Sequence, residues 1–186
     1  MYRDIYGVLS FIFNKTIIYI NNIILKRNRC IYIIIGQKNI RSLSAYIRYG
    51  STLFGSYFID ITAFERHKVF YNKINIYIIN HIFYISRWGL KIVLMIPIFN
   101  NIKLYSLSEF YSGSTWSERE TSEMFNIQFK SKLDSRKLML DYIFEGFPLL
   151  KNFYFCGYEE LEYDNGDNWL MYRKLKLRDS INVWLS

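Results

Sequence analysis

The sequence predicts an α+β fold, in which helices pack on one face of a mixed β-sheet. Two observations lead to this class. Apolar residues recur at helical spacing in residues 4–14 and again in residues 37–48, so each segment has one apolar face. Between and after these segments come short stretches that are rich in Ile, Tyr and Phe and are separated by polar residues, as strands are.

The first third of the chain predicts a helix, a hairpin and a second helix. Residues 4–14 form the first helix in this interpretation, and residues 37–48 form the second. Residues 16–25 and 29–35 are short and rich in β-branched side chains, and they predict the two strands of the hairpin. Gly50 follows the second helix and is expected to end it.

The middle of the chain predicts four strands, of which the last three form a meander. Pro97 has no amide proton to donate to a ladder, so we expect it to close the last strand. His67 and His81 fall where turns are expected. We predict that both are surface loop residues and not metal ligands, because neither has a cysteine beside it. The strands are predicted over residues 56–63, 69–79, 82–87 and 91–96.

The pattern changes after about residue 105. Ser117 and Glu120 have the spacing of a capping box, in which the serine hydroxyl accepts an amide proton and the glutamate reaches back. The acids here would also suit the positive end of the helix dipole. A helix is therefore predicted from Ser117 to Phe125, and Asn126 is expected to end it in the left-handed conformation.

Beyond this helix we expect a second short helix over residues 134–140 and a last strand over residues 169–177. Residues 141–160 between them have neither helical nor strand periodicity, and an aromatic segment of this length without regular structure is uncommon inside a compact domain. We therefore predict two units. Residues 1–104 form a sandwich domain, and residues 105–186 form a helix and an extended segment that packs on a partner.

The composition argues against several classes of function. Cys30 and Cys156 are the two cysteines, which is too few for a zinc or iron–sulfur site built from cysteines. The apolar windows at 16–25, 30–35 and 92–99 each have about ten residues or fewer, whereas a membrane-spanning helix needs about 20. No phosphate-binding loop, dinucleotide fingerprint or serine elbow is present in the sequence.

The charge is divided unevenly along the chain. Residues 1–103 carry 14 Lys and Arg against three acids, a net of +11, and residues 104–186 carry 10 against 13, a net of −3, which together give +8. A basic half can meet nucleic acid, an anionic membrane surface or an acidic partner, or it can simply form a solvated face. Ile, Tyr, Phe, Asn and Lys are abundant, as is typical of an AT-rich genome such as that of an organelle.

Residues 116–127 resemble the signature of the thirty-kilodalton subunit family of the proton-pumping NADH:ubiquinone oxidoreductase. That signature has a Trp, then Glu-Arg-Glu, an acid, two apolar residues, a Gly and an Ile. Further family motifs follow in the same order up to residue 160, and Asp-Ile-Thr-Ala at 60–63 resembles a motif of the family's central strand. Residues 1–57 match only in pattern. The matching residues that we predict to form the partner interface are Trp116, Glu118, Arg119, Glu120, Glu123, Asp134, Arg136, Asp141, Tyr142, Glu145, Gly146, Pro148, Lys151, Gly157 and Tyr158.

The chain departs from the family pattern at several of these motifs. Lys132 and Leu133 stand where the family has His and Pro, and Phe147 stands where it has a second His. Asn126 replaces the Gly of the signature. Any role that needs an imidazole at position 132 or 147 therefore does not carry over to this chain.

The resemblance implies a scaffolding role in the quinone-reducing module of the matrix arm, at the mitochondrial inner membrane. It implies packing against the forty-nine-kilodalton subunit and no flavin, cluster or quinone ligand in this chain, although the assembled complex holds FMN and iron–sulfur clusters. Residues 1–15 lack the marks of a targeting sequence. Together with the AT-rich composition, this predicts that the chain is encoded in the mitochondrial genome.

Functions of other classes have less support in the sequence. Glu118 and Glu120 flank Arg119 on a helix, where successive residues point about 100° apart, so the two acids are not expected to form an acid/base pair. Arg119 is expected to make a bidentate ion pair, within the fold or across an interface. A basic RNA-binding protein of the organellar ribosome is the main alternative, and a stand-alone redox enzyme is the weaker one.

Overall fold

The computed structural model describes residues 17–21, 30–53, 55–66, 76–99, 103–132, 134–154 and 156–175. The predicted helix over 4–14, the first part of the predicted strand over 69–79, and His67 lie outside these ranges. The described helices and strands, in chain order, are β1 (Ile17–Asn21), β2 (Cys30–Ile35), α1 (Ile40–Tyr49), β3 (Ser56–Arg66), β4 (Ile76–Ile85), β5 (Leu90–Phe99), β6 (Leu104–Tyr105), α2 (Ser114–Phe125), β7 (Phe129–Lys130), β8 (Glu159–Asp164) and β9 (Trp169–Lys174).

A five-stranded mixed sheet forms the centre of the fold, with the strand order β1-β2-β5-β4-β3. β2 and β5 run parallel, and the other neighbouring strands run antiparallel. This confirms the predicted α+β class and the hairpin between β1 and β2. Two short parallel strands, β6 and β7, and an antiparallel hairpin, β8 and β9, lie outside this sheet.

The core lies between this sheet and the helices, and it follows from strict alternation along the central strands. In β4, Ile79, Phe83 and Ile85 are fully buried, and every second residue of β5 is buried with them. Alternate residues of a strand share one face, so these side chains form a single apolar layer. α1 contributes Ile40, Leu43 and Ile47 to the same core, which are the residues that its spacing predicts. The core also includes Leu104, Leu107, Tyr111 and Ile127, and so it crosses the domain boundary predicted at residue 104.

Gly50 ends α1, as predicted, although its backbone is extended and not left-handed. The Gly50 amide donates to the Tyr46 carbonyl at 2.7 Å, and a Cβ on Gly50 would lie 2.5 Å from that oxygen. A side chain at this position would therefore collide with the last turn of the helix.

Two strand predictions are wrong. Residues 76–79 of one predicted strand and residues 82–85 of the next belong to one continuous strand, β4, in which Asn80 and His81 are paired with Met95 and Leu94. Pro97 does not close β5, which continues to Phe99. The parallel pairing with β2 ends at Met95, and the Gln37 side-chain amide donates to the Pro97 carbonyl at 3.0 Å. The backbone N and O of one strand residue point to the same side. The Pro97 nitrogen therefore points to the side of β5 where the pairing with β2 has already ended, and a strand tolerates a proline there.

The structure places the Asp-Ile-Thr-Ala motif of residues 60–63 in β3, at an edge of the five-stranded sheet and not at its centre. β3 contains an irregularity between Phe58 and Asp60. Asp60 accepts hydrogen bonds from the Ile61 amide and from the Ser117 hydroxyl of α2, at 2.7 and 2.9 Å. The edge position therefore lets Asp60 connect the sheet to α2.

Candidate functional site

α2 carries the signature residues, and it begins three residues earlier than predicted, at Ser114. No side chain caps its first turn, so the predicted capping box is wrong. Ser117 lies inside the helix, and its hydroxyl bonds to Asp60 instead. No acid lies in the first turn either. The end of the helix is as predicted, because Asn126 follows Phe125 with φ 57°.

Glu118 is completely buried and holds the loop that leads into α2. Its carboxylate accepts hydrogen bonds from the Ser106 hydroxyl and from the Leu107 amide, each at 2.6 Å. Burial raises the pKa of Glu118 above its ordinary value, against the opposing effect of these two donors. The side chain thus fixes α2 to the chain that precedes it.

Glu123 lies on the same helix and holds the chain that follows it. Its carboxylate accepts hydrogen bonds from three successive backbone amides, those of Leu138, Met139 and Leu140. Amides that converge on one anion make a compact anion-binding loop. Residues 138–140 are bends and not helix, so the predicted helix over 134–140 is wrong. These three amides donate to the Glu123 carboxylate, whereas in a helix they would donate to backbone carbonyls of the same helix.

Arg119 extends between Glu118 and Glu123 toward the same segment. Its guanidinium donates to the carbonyls of Arg136 and Lys137 at 2.9 and 3.0 Å and lies 3.5 Å from the Asp134 carboxylate. Its guanidinium carbon also lies 5.2 Å from the ring centre of Trp116. The predicted bidentate pair thus goes to two backbone carbonyls, with a carboxylate as the third partner. Glu120 is exposed.

Asp134 and Arg136 form a local ion pair at the entrance to this segment. The Arg136 guanidinium contacts both carboxylate oxygens of Asp134, at distances from 2.8 to 3.2 Å. The Arg136 side chain holds the pKa of Asp134 well below its usual range. The Asp134 carboxylate also accepts a hydrogen bond from the Arg136 backbone amide, so the pair defines a tight turn.

Lys137 organises the first turn of the segment beyond residue 140. Its ammonium donates to the carbonyls of Asp141, Tyr142 and Phe144 at 3.2, 3.2 and 2.5 Å. The side chains of Asp141 and Tyr142 remain exposed. Sequence reasoning did not select Lys137 among the site residues, because a lysine that binds carbonyls looks like any surface lysine in a sequence.

The remaining predicted site residues lie along an open segment with few anchors. The Leu149 amide donates to the Met124 carbonyl of α2, and the Lys151 amide donates to Glu65 of β3 at 3.0 Å. Gly146 has φ +114°, and a Cβ there would lie 2.7 Å from the Phe153 ring. Glu145 and Tyr158 are exposed, Pro148 is half-buried, and Gly157 has φ +76°.

A small cleft lies where α2 meets the segment over 132–147. Two of its lining residues, Lys132 and Phe147, stand at the two positions where the family pattern has histidine. The volume of the cleft is about 170 Å³, and its lining consists of Arg119, Ser122, Glu123, Lys132, Ser135, Arg136, Lys137, Leu140, Gly146 and Phe147. The structure therefore gathers Arg119, Glu123, Arg136 and Gly146 from the predicted set, and leaves Tyr142 and Tyr158 farther along the chain.

His81 contradicts its prediction as a surface loop residue. It lies inside β4, is completely buried, and neither ring nitrogen has a hydrogen-bond partner in the described part of the chain. Burial lowers the pKa of His81 to about 3, so the ring is neutral at physiological pH. Its neighbours in the ladder are Ile61 and Leu94.

A metal site and a membrane span find no support in the residues that the structure describes. They contain no group of three or more His, Cys, Asp and Glu side chains that could hold a metal ion. Within the same residues, no helix is long and apolar enough to cross a membrane. The expected absence of cofactors in this chain remains a prediction.

The fold is shared with a chain of a solved respiratory complex. A chain in the structure of the membrane-bound sulfane sulfur reductase, an archaeal respiratory membrane complex, superposes with a TM-score of 0.54. The match covers 76% of this chain and 78% of that one at 14% sequence identity, and it therefore concerns the fold alone.

The sequence identifies the family. A family model described as the respiratory-chain NADH dehydrogenase, 30 Kd subunit, matches residues 33–159, which is more than half of the chain, and the chain belongs to this family. NADH-ubiquinone oxidoreductase subunit 9 of Dictyostelium citrinum is 34% identical over 64% of this chain and 54% of its own length. A subunit of the NADH-quinone oxidoreductase of Bartonella henselae is 36% identical over 51% of this chain and 47% of its own. The chain spans about half the length of these relatives.

Proposed function

We propose that this chain is a structural core subunit of the proton-pumping NADH:ubiquinone oxidoreductase, in the module that reduces quinone. It supports electron transfer from NADH to ubiquinone without binding a redox centre of its own. FMN and the iron–sulfur clusters are carried by other subunits. The names of its relatives support a place in this enzyme complex, and the contacts of its signature residues support a structural role.

The main support for this proposal is that three charged signature residues bind the chain's own backbone. Glu118 holds the Leu107 amide, Glu123 holds three amides of residues 138–140, and Arg119 holds two carbonyls. A general acid or base must be within hydrogen-bond reach of its substrate. These three side chains are buried and already bonded to the backbone, which supports a structural role for them and not an acid or base role.

The segment from residue 139 to residue 158 is the part that we assign to the partner. Exposed apolar side chains concentrated in one segment support a protein interface there, and the forty-nine-kilodalton subunit is the neighbour that we propose to cover it. The complex lies at the mitochondrial inner membrane with this arm in the matrix. The exposed apolar side chains of the segment are Met139, Tyr142, Ile143, Leu149, Tyr154 and Tyr158.

Purification of the native chain tests this proposal. We expect a tagged chain to co-purify with a large NADH-oxidising membrane complex, and we expect the isolated chain to contain no flavin, iron or zinc. Co-migration with ribosomes would contradict the proposal in favour of RNA binding. About one tightly held metal ion per isolated chain would contradict the absence of a redox centre.

Arg119→Ala separates a structural role from a catalytic one. The substitution removes the contacts to residues 134–137, so we expect less assembled complex with nearly unchanged NADH oxidation per assembled complex. Arg41→Ala is the matched control, because Arg41 is exposed and pairs with the exposed Glu109. We expect normal assembly for this control. Normal assembly of the Arg119 variant with a collapse of turnover per complex would indicate a catalytic role instead.

A further inference from the structure

The cleft between α2 and residues 132–147 has an unbalanced charge. Four of its lining side chains are cationic, namely Arg119, Lys132, Arg136 and Lys137, and only Glu123 is acidic. The Glu123 carboxylate is already occupied by three backbone amides. Asp134 pairs with Arg136 and lies 3.5 Å from Arg119. The hydrogen-bond acceptors of Lys132 and Lys137 are uncharged hydroxyl and carbonyl groups, so these two lysines carry the positive charge that an incoming anion can meet.

Lys132 is the central donor of this cleft. Its ammonium donates to the Ser122 hydroxyl at 3.1 Å and to the Glu118 carbonyl at 3.5 Å, and both acceptors are uncharged. The carboxylates of Glu118, Glu123 and Asp134 favour the charged amine from a distance, but burial outweighs them and lowers the pKa of Lys132. A half-buried ammonium with neutral acceptors is stabilised when an anion approaches it.

The remaining walls of the cleft define the shape of that anion. Leu140 and Phe147 supply an apolar wall, and Ser135 supplies a hydroxyl. Arg136 lies at the rim with 73% of its side chain exposed. Its Nε and Nη2 bond to Asp134, so an incoming group would meet it at Nη1. A volume of about 170 Å³ corresponds to about six waters of liquid volume, which is enough for one short side chain.

We propose that this cleft binds the carboxylate of an acidic side chain, presented by the neighbouring subunit that covers the exposed segment. The carboxylate lies against Lys132 and Arg136, and its methylene groups lie against Leu140 and Phe147. Met139 and Tyr142 are exposed, and their backbone atoms bond to Glu123 and Lys137 of the cleft lining, so an inserted side chain would continue the same interface. The assignment of the ligand to a neighbouring subunit rests on the proposed function, but the preference of the cleft for a carboxylate does not.

Titration of the full chain with a small probe tests the cleft directly. N-acetyl-glutamate N-methylamide carries one side-chain carboxylate and no other charge, and the matching glutamine compound is its uncharged control. We expect saturable NMR shifts at residues 119–123 and 132–137 with the glutamate probe, and none with the glutamine probe. Equal shifts with both probes, or no saturable shift with either, would overturn the proposal.

Substitutions identify the groups that bind. Lys132→Met should weaken the glutamate probe at least tenfold, and Lys103→Met is the matched control, since Lys103 is an exposed lysine outside the cleft. If Lys132→Met does not fold, Arg136→Gln carries the test, and it should weaken the probe several-fold. Unchanged affinity in a folded variant would exclude the assigned donor.

Inorganic phosphate distinguishes the chemical class of the ligand. Phosphate that binds tenfold more tightly than the glutamate probe at the same residues would replace the carboxylate assignment with a phosphate site. These measurements use the isolated chain, so their failure leaves co-purification with the NADH-oxidising complex as an independent result. Conversely, a chain that does not join that complex can still show a carboxylate-binding cleft.

Discussion

The sheet with its helices and the segment beyond residue 134 are held together by different forces. In the first region, the central strands bury nearly every second side chain, and Phe83 and Ile79 are completely inaccessible. In the second region, large apolar side chains such as Ile143 remain up to 92% exposed, and polar contacts fix the backbone. Apolar burial supplies most of the free energy of folding. We therefore expect the first region to hold its shape alone, whereas the second has apolar surface still to bury.

The hairpin of β8 and β9 extends this contrast to residue 174. One face is charged, with Arg173 bridging Glu162 and Asp164 at 2.8 and 3.7 Å. A two-stranded hairpin is marginally stable in water unless something covers an apolar face. The opposite face of this hairpin is exposed and carries Leu161, Tyr163, Leu170 and Tyr172.

The largest expected effect is in the core. Phe83→Ala removes a completely buried ring and should lower the free energy of unfolding by about 3–5 kcal/mol. Tyr142→Ala, at a ring that is 75% exposed, should change it by less than about 0.5 kcal/mol. Urea denaturation of the isolated chain checks both variants. Similar losses for the two would mean that the segment is packed as tightly as the sheet.

His81 predicts how the stability of the sheet depends on pH. Its pKa is about 3 in the folded chain against an ordinary 6.5, so between these values the unfolded chain binds a proton that the folded chain does not. Stability should therefore fall as the pH falls below about 6.5, by about 1.4 kcal/mol per unit and about 3 kcal/mol by pH 4.

Replacement of His81 isolates this effect. His81→Leu should remove its share of the slope, and at neutral pH it also removes two buried nitrogens without partners in the described residues. Urea midpoints of the original chain and the His81→Leu variant are measured at pH 7 and pH 4. Carboxyl groups such as Glu118 contribute equally to both chains, so the difference between the two pH dependences reports His81. An identical pH dependence in both chains would show that His81 is not the group responsible.

An intermediate effect is expected at the junction of the two regions. Glu123→Ala removes the acceptor of three amides, and a hydrogen bond to a charged group contributes about 1.5–3 kcal/mol. Amide exchange at Leu138, Met139 and Leu140 should become roughly tenfold to a hundredfold faster. Glu120→Ala is the matched control on the exposed side of the same helix and should leave these rates unchanged.

The smallest stabilisation is expected in residues 141–158 of the free chain. Their amides should exchange rapidly, including those in the local turns that end at Phe144, Leu150, Phe153 and Gly157. The exceptions are the amides of Leu149 and Lys151, which bond outside the segment, to α2 and to Glu65. In the assembled complex the whole segment should be protected. Hydrogen exchange on both samples decides this, and equally strong protection in both would remove the partner-binding role from the segment. The same experiment tests the predicted boundary near residue 104, across which the core is continuous.

The successful predictions came from periodicity, and the failures came from contacts that periodicity does not encode. The apolar face of α1 follows from spacing, since burial imposes a regular pattern, and the β1–β2 hairpin follows from two short stretches rich in β-branched residues. The capping box failed because Ser117 finds its acceptor on Asp60, which is distant in sequence. Asn80 and His81 resembled a turn because polar pairs usually lie at the surface, yet this histidine is buried in its neutral form.

The candidate site was predicted as a set of residues, but its arrangement was not. The sequence indicated that Glu118, Arg119 and Glu123 belong to one motif, and the resemblance to the family indicated that this motif matters for the function. It did not indicate that Lys132 and Phe147 line one cleft. These two residues lie near each other because the backbone bends over residues 138–140. Those bends depend in turn on one carboxylate from a preceding helix.

The hydrogen bonds from residues 138–140 to Glu123 also affect the entropy of assembly. Fixing one backbone residue costs about 1–2 kcal/mol of conformational entropy. Residues 138–140 are already fixed by Glu123, and residues 136 and 137 by Arg119, so this cost is met when the chain folds and not when it docks. A neighbouring subunit would then encounter a segment whose starting point and direction are set, and only the residues beyond it would lose freedom on binding.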